Sequence, residues 1–126
     1  MHKSKLGGFI IDCQTSDLGA ASNFWGSALG MKVEALSGTE GQTYARLADP
    51  SKRLDIEVQL VEHPSRVHLD IESDDIEAEV RRLESLGAKR VRQIQTWWVM
   101  EAPTGQRFCV VPNTSIDFAA NASRWP

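Results

Sequence analysis

The spacing of apolar residues changes period midway through the first 30 residues. Residues 9–14 alternate between two faces, as expected for a strand. From Asp17 onward the apolar side chains recur at helical spacing, and Gly30 follows the last of them. Ser16 or Asp17 can cap the predicted helix through a side-chain oxygen, and Gly30 is typical of a helix end.

Three further strands are predicted after this helix, separated by turn-rich segments. They cover Met31–Leu36, "TYARLA" and "LDIEVQLVE", with "SGTEGQ" and "DPSKR" between them. The third strand alternates cleanly, with Leu54, Ile56, Val58 and Leu60 on one face and Asp55, Glu57 and Gln59 on the other. We expect its polar face to point away from the core under the helix.

The second half of the chain repeats this order. In "VHLDI", residues 67–71, Val67, Leu69 and Ile71 are expected to face the helix-packed core, and His68 and Asp70 the opposite side. A helix follows, with Ser73 or Asp74 as its cap and Gly87 as its end. Three more strands are predicted in "RVRQIQ", "WWVMEA" and "RFCVVP".

The two halves align with each other. Laying "IIDCQTSDL" over "HLDIESDDI" pairs Ile10 with His68, Asp12 with Asp70 and Asp17 with Asp75. We predict a single α+β domain, residues 1–126, with repeat one at about 8–62, repeat two at about 66–112 and a C-terminal tail at 113–126. Each repeat would leave one sheet face uncovered by its helix, so that two repeats can surround a shared cavity.

Charge and composition narrow the possible partners. The 14 Lys and Arg residues against 17 Asp and Glu give a formal net charge of -3, and apart from Lys89, Arg90 and Arg92 the basic residues are dispersed. This pattern predicts no nucleic-acid partner. No apolar run reaches the roughly 18 residues of a membrane span and no secretory signal is visible, so we expect a cytoplasmic protein without a membrane partner. Cys13 and Cys109 are then expected to be reduced thiols.

Several segments together resemble a known superfamily. They are Asp17-Leu18, "FWGSALG" ending at Gly30, "RVHLDI", "LGAKRV" and "WWVMEAPTGQRFCVV", which together span about Gly8 to Pro112. In this order they resemble the vicinal oxygen chelate superfamily, which includes glyoxalase I, bleomycin-resistance proteins and extradiol dioxygenases, and more narrowly its glyoxalase-like branch. The resemblance implies two βαβββ repeats forming a cupped mixed sheet around a shared cavity, and a homodimer.

The same resemblance implies where a metal would be held. In metal-using members the ligands lie on the first and last strands of each repeat, which correspond here to Ile10, Gln59, His68 and Cys109. Isoleucine cannot coordinate an ion, and a neutral amide is a weak ligand. A shift in strand register would put Glu57 in place of Gln59 without replacing Ile10. We therefore predict no metal and no other cofactor.

The expected ligand-binding residues lie on the faces that would line the cavity. His68 is the candidate catalytic residue, because an imidazole is suited to acid–base chemistry near neutral pH. The alternative is a hydrogen-bonded structural histidine. The full set of predicted ligand-binding residues is His68, Gln59, Asp70, Trp97, Trp98, Arg107 and Cys109.

Three residue types in this set leave alternatives open. Trp97 and Trp98 are adjacent on a strand, so one is expected in the core and the other in the cavity or at a partner, although both could be packed. Cys109 is either an inert thiol or a nucleophile with His68 as its base. Arg107 either meets an anionic ligand or is a charge at the rim.

These observations favour a protein that binds a small molecule, a metabolite or a drug-like compound, without a metal. The alternative is a metal-dependent lyase, isomerase or dioxygenase of the same superfamily, and the sequence leaves open whether the protein is an enzyme. The expected partners are a small-molecule ligand and a second copy of the chain. The tail is expected to run over the surface or onto that second copy, with Phe118 and Trp125 as anchors.

Overall fold

The computed structural model describes residues Met1–Pro126 and has a mixed α+β fold. Both predicted strand-helix-three-strand runs are present. None of the helices has the length and apolar character needed to span a bilayer. The elements are β1 (His2–Cys13), α1 (Leu18–Leu29), β2 (Val33–Ala35), α2 (Glu40–Thr43), β3 (Tyr44–Leu47), β4 (Asp55–Leu60), β5 (Arg66–Ser73), α3 (Ile76–Ser85), β6 (Lys89–Ile94), β7 (Trp97–Glu101), β8 (Arg107–Pro112), α4 (Phe118–Asn121) and β9 (Ser123–Trp125).

The chain divides into two compact units. The middle unit is Phe9–Val67, and the outer unit combines Met1–Gly8 with His68–Pro126. Strand β1 contributes residues to both units. The first eight residues therefore belong to the same unit as the second repeat, which the sequence repeat alone does not indicate.

The middle unit is a small sheet covered by α1. Its strand order is β2-β3-β4-β1, and β2, β3 and β4 pair antiparallel. Its buried core consists of Ile11, Leu47, Ile56 and Val58, against which Trp25 of α1 packs. The predicted apolar face of β4 is therefore the face that enters the core. Gln59 lies on the other face of this strand.

Helix α1 has the predicted ends. The Asp17 carboxylate accepts a hydrogen bond from the backbone N–H of Ala20 at 3.0 Å, which satisfies one of the free donors of the first turn. Gly30 ends the helix at φ 67°, a left-handed conformation that costs glycine little. Of the two cap candidates, Asp17 is the one used.

The outer unit is built on the second repeat. Its strand order is β9-β1-β5-β8-β7-β6, with β5 and β8 parallel and β8, β7 and β6 antiparallel. Helix α3 packs against β8, β6 and β7. The buried core between them consists of Val80, Leu83, Met100 and Val110, with Ile71, Trp98 and Phe108 among the side chains packed around it.

The cap of α3 differs from the prediction by one or two residues. Asp75, rather than Ser73 or Asp74, accepts from the backbone N–H of Ala78 at 3.0 Å. Ser73 is still in β5, and its Oγ accepts from the Asp75 N–H. The Asp74 carboxylate accepts from the backbone N–H of Lys3 at 2.8 Å. Both predicted caps are therefore engaged in holding the strand ends.

The predicted core face of β5 is only partly buried. Ile71 packs against the outer core, but Val67 and Leu69 are 57% and 51% exposed. The prediction that all three enter the core is wrong for the first two. The reason is the position of α3, which packs against β6, β7 and β8 and so covers only the end of the β5 face.

The C-terminal tail runs along the surface of its own chain and ends as a strand beside β1. Contact of the tail with a second subunit stays a prediction. Phe118 is buried, and β9 pairs antiparallel with the start of β1. Trp125 donates from its indole N–H to Ser4 Oγ at 2.8 Å, and the Arg82 guanidinium lies 3.8 Å from the centre of its ring. The two predicted anchors, Phe118 and Trp125, both hold the tail in place.

A buried carboxylate links α3 to β1. Glu79 accepts two hydrogen bonds from Arg82 at 2.8 Å each, and His2 Nε2 lies 2.8 Å from its Oε1. Burial raises the pKa of Glu79, but hydrogen bonds from Arg82, His2 and Ser4 outweigh burial and leave the pKa below its ordinary value. Glu79 is therefore held as a carboxylate inside the outer unit.

Candidate functional site

Three polar side chains converge on β5 and β8. Asp70 and Cys109 lie opposite each other in the parallel β5–β8 pairing, and His68 is two residues before Asp70 on the same face. Ile71 and Val110 belong to the opposite face, which packs under α3. His68, Asp70 and Cys109, hereafter the polar cluster, therefore project from the face of the sheet that points away from α3, hereafter the site face.

The polar cluster is compact. The nitrogen, oxygen and sulfur atoms that can act as ligands all lie within 4.8 Å of one another. His68 Nε2 is 3.6 Å from Asp70 Oδ1, and the two side chains are 12% and 17% exposed. An imidazole, a carboxylate and a thiol at this spacing can hydrogen-bond to a polar ligand, exchange a proton or coordinate a cation.

The structure separates the two tryptophans as the alternation predicted. Trp98 packs against the outer core, and the Arg90 guanidinium lies 5.0 Å from its ring centre. Trp97 is next to Trp98 in sequence and so lies on the other face of β7, where it is paired with Ile94 of β6. Val99 of β7 is paired with Cys109 of β8, so these two side chains lie on the same face of the sheet. Trp97 is two residues before Val99 and therefore also lies on the site face, with the polar cluster. Trp98 belongs to the core.

Arg107 is also on the site face, two residues before Cys109. Its Nε donates to Glu101 Oε1 at 3.1 Å across the β7–β8 pairing. Both side chains are more than one-third exposed. Arg107 is therefore a partly exposed cation whose charge is shared with Glu101, next to the polar cluster.

Gln59 and Ile10 lie in the middle unit. Gln59 is opposite Tyr44 in the β3–β4 pairing and points away from the core side of β4. Ile10 is buried in β1. The polar cluster forms from residues of the outer unit alone, so the participation of Gln59 in a shared cavity stays a prediction.

Glu72, which was not among the predicted site residues, extends the row of polar residues on the site face. It follows His68 and Asp70 at the same two-residue spacing on β5, is buried, and accepts from the backbone N–H of Ser115 at 3.2 Å. Gly7 makes room for it, because a Cβ there would lie 2.4 Å from Glu72 Cγ. Continuing the alternation of "VHLDI" by one step would have found Glu72.

Asp12 is the repeat-equivalent of Asp70, but its surroundings differ. It is buried in the middle unit, with its Oδ2 3.4 Å from Arg66 Nε and 3.8 Å from His63 Nε2. Its two cationic neighbours come from the first residue of β5, Arg66, and from His63 in the segment before that strand. Asp12 therefore lies beside an arginine and a histidine, whereas Asp70 lies 3.6 Å from His68.

Neither Cys13 nor Cys109 is part of a disulfide. Burial raises the pKa of Cys13, the charge of Asp12 raises it further, and an interaction with Trp25 opposes both. Less thiolate is then present near neutral pH, and the thiolate is the reactive form. Cys13 is therefore a packed thiol of the middle unit, and Cys109 is the thiol with acid–base neighbours.

Comparison with known proteins gives a family and a fold. The model of the glyoxalase-like domain family matches residues 8–111, while no curated protein matches the chain. Among solved structures, the NAD-dependent benzaldehyde dehydrogenase from Legionella pneumophila is 11% identical, with a TM-score of 0.61 over 84% of this chain and 99% of that one.

Two further solved structures have similar TM-scores. Methylmalonyl-CoA epimerase from Mycobacterium tuberculosis is 20% identical, with a TM-score of 0.58 over 91% of each chain. An extradiol ring-cleaving dioxygenase from B. fuscum is 12% identical, with a TM-score of 0.58 over 88% of this chain and 33% of that one. At such identities the likeness shows the fold alone, because one fold serves many reactions.

Proposed function

Because the chain belongs to the glyoxalase-like domain family, and so to the vicinal oxygen chelate superfamily that its sequence resembles, we propose that it binds a small organic molecule on the site face. The observation that carries this proposal is the convergence of His68, Asp70 and Cys109 within 4.8 Å on a face that α3 does not cover. Functional groups grafted on a common fold, rather than the fold, determine what such a protein binds.

The side chains of the site face indicate the chemistry of the ligand. Trp97 offers an aromatic surface on which a flat ring can stack. His68 and Asp70 supply a donor and acceptors for hydrogen bonds. Arg107 donates from its Nε to Glu101, and the other N–H groups of its guanidinium can donate to an anionic group of the ligand. We propose a flat, polar metabolite or drug-like compound, held in the manner of the bleomycin-resistance branch. These contacts do not require a metal.

A second candidate function is a metal-dependent lyase, isomerase or dioxygenase. The observation that favours it is the presence of three potential metal ligands in the polar cluster. Catalysis would also require a proton acceptor beside the bound substrate, and His68 can take this role only where it is not itself a metal ligand. Stoichiometric metal with turnover of a carbonyl or catechol substrate would select this candidate over simple binding.

The proposed function can be tested by ligand screening with paired variants. A compound that raises the melting temperature of the wild type should bind His68→Ala and Trp97→Ala at least about tenfold more weakly, a loss of about 1.4 kcal/mol each. Leu69→Ala is the matched control, because Leu69 is exposed on the opposite face of β5. A compound that binds all four proteins equally, or that loses affinity only in the control, would contradict the proposed site.

We also propose that the protein is a cytoplasmic homodimer. Phe24 and Leu86 are each more than half exposed in the single chain, and such side chains supply apolar contact area in homodimers. The free thiols of Cys13 and Cys109 suit a reducing compartment. Light scattering after size-exclusion chromatography should give twice the chain mass of 14.0 kDa. A single-chain mass at micromolar concentration would refute the dimer.

A further inference from the structure

We propose that a cavity beside α3 binds an amphipathic organic anion, a molecule with one acidic group on an aliphatic chain. The cavity has a volume of about 590 Å³, within the range of about 300–1,000 Å³ that is typical of small-molecule sites. Its walls come from residues on or next to α3, β1 and β9. Among them are Met1, Ala78, Arg81, Arg82, Leu86 and Trp125.

This cavity is separate from the site face. Helix α3 packs on the opposite face of the sheet from the polar cluster, and the cavity lies on the α3 side. His2 of β1 reaches Glu79 of α3 on this side, and Trp125 is paired with His2. No residue of the polar cluster lines the cavity. The inference therefore goes beyond the proposed function and does not depend on it.

Arg81 supplies a positive charge that a ligand can use. Its side chain is exposed, and it acts on Glu77 through its charge and not through a hydrogen bond. The Glu77 carboxylate instead accepts two hydrogen bonds from Arg90, at 3.1 Å and 2.7 Å. Because Glu77 is held by another arginine, the guanidinium of Arg81 can pair with an anion in the cavity.

Arg82 supplies a hydrogen-bond donor that is already fixed in position. Its Nε and Nη2 donate to the buried Glu79 carboxylate at 2.8 Å each, and its guanidinium lies 3.8 Å from the centre of the Trp125 ring. Glu79 does not use the Nη1 group, which can therefore donate to an anion. A donor that is held in place before binding loses little conformational freedom when the ligand arrives.

The apolar part of the cavity favours an aliphatic chain on the anion. Leu86, directly after α3, is 64% exposed, and Met1 is 94% exposed. Large apolar side chains left in water beside a cavity typically mark a binding surface. A small inorganic anion would gain nothing from these side chains, and a neutral hydrocarbon would gain nothing from the two arginines. Both requirements are met by a carboxylate with an aliphatic chain.

Calorimetric titration of the whole protein with octanoate tests this inference. Octanoate should bind with one molecule per chain, and added salt should weaken its binding because part of the attraction is electrostatic. The neutral analogue 1-octanol should bind at least about fivefold more weakly, since it lacks the charge. Acetate should bind at least about tenfold more weakly, since it lacks the chain.

Variants of the lining residues locate the bound octanoate. Arg81→Gln should weaken its binding at least about fivefold, and Arg81→Lys, which keeps the charge, should weaken it less. Leu86→Ala should weaken it about threefold through lost apolar contact. The matched control is Arg92→Gln, which removes an exposed arginine of β6 outside the cavity and should leave the affinity unchanged. Circular dichroism spectra establish that each variant is folded.

Tryptophan fluorescence provides a second measure of position. Octanoate should change the fluorescence of the wild type, because Trp125 lines the cavity. In Trp125→Phe this change should disappear while calorimetry still detects binding. A fluorescence change that persists in Trp125→Phe would place the octanoate beside another tryptophan and overturn the proposal.

Four other outcomes would also overturn it. They are no binding to the folded wild type, equal weakening in Arg81→Gln and Arg92→Gln, and weakening in Trp97→Ala but not in Arg81→Gln, which would place octanoate on the site face. The fourth is a Leu86→Ala variant with unchanged octanoate affinity and a lower mass by light scattering, which would assign this surface to a second copy of the chain. Compounds that bind the site face are recognised by their loss in His68→Ala and Trp97→Ala, so either proposal can fail without the other.

Discussion

Glu79 has no exposed surface, yet it is charged. Its pKa lies below the ordinary value of 4.5, because hydrogen bonds from Arg82 and His2 outweigh the cost of burial. A carboxylate whose pKa is lowered by folding stabilises the folded state above its unfolded-state pKa, and this stabilisation is lost as the pH falls through the lower folded-state value. Stability should therefore decrease below about pH 4.5.

We predict that Glu79→Gln lowers the free energy of unfolding by about 1–3 kcal/mol near neutral pH. The difference from wild type should shrink on acidification to about pH 4, since the variant lacks the carboxylate that becomes protonated. Urea unfolding followed by tryptophan fluorescence measures both values. Glu84→Gln, at a partly exposed ion pair with Arg90, should change stability by less than about 1 kcal/mol. If the difference in stability between wild type and Glu79→Gln is the same at neutral pH and at about pH 4, this account is contradicted.

At the level of single residues, alternation predicts the direction of a side chain better than its burial. The placement of His68 and Asp70 on one face, and of Trp97 opposite Trp98, follows from strand periodicity alone. The proximity of Cys109 to Asp70 depends on the pairing of β5 with β8, which strand periodicity does not give. The exposure of Leu69 could not be predicted, because it depends on where α3 lies across the sheet.

At the level of elements, the two long helices begin in the same way at equivalent positions of the repeat. Asp17 and Asp75 each accept a hydrogen bond at 3.0 Å from the backbone N–H three residues later. We predict that Asp17→Ala and Asp75→Ala each lower the free energy of unfolding by about 1 kcal/mol. Thermal or urea unfolding measures the loss.

Asn substitutions at the same two positions are the controls, because asparagine caps helices about as well as aspartate. They should retain stability to within a few tenths of a kcal/mol. A loss in the Asn variants as large as in the Ala variants would assign the effect to charge rather than to capping.

The order of elements was predictable because each strand and helix carries its own period and its own end signals. The short helix α2 lies within "SGTEGQT" and was not expected, since four residues carry no measurable helical period. The strand β9 was not expected either. Three residues, Ser123–Trp125, become a strand only because the start of β1 is available as a partner.

At the level of the whole molecule, the outer unit is held by contacts between the two ends of the sequence. Trp125 packs against the Arg82 guanidinium and donates to Ser4, beside the His2–Glu79 contact. We predict that Trp125→Ala lowers the free energy of unfolding by about 2–3 kcal/mol. Trp125→Phe keeps a ring for Arg82 and should lose about 1 kcal/mol, the contribution of the indole hydrogen bond. Equal losses in the two variants would show that the ring contributes little.

The pairing of His2–Ser4 with Ser123–Trp125 also affects how the protein is made. A ribosome releases the first strand segment long before its partner on that edge has been synthesised. Throughout that interval the segment offers unpaired backbone donors and acceptors, which another nascent chain on the same messenger RNA can capture. Slow translation near residue 120 would prolong this exposure, so we expect codon choice in that region to affect the yield of folded protein without changing a single amino acid.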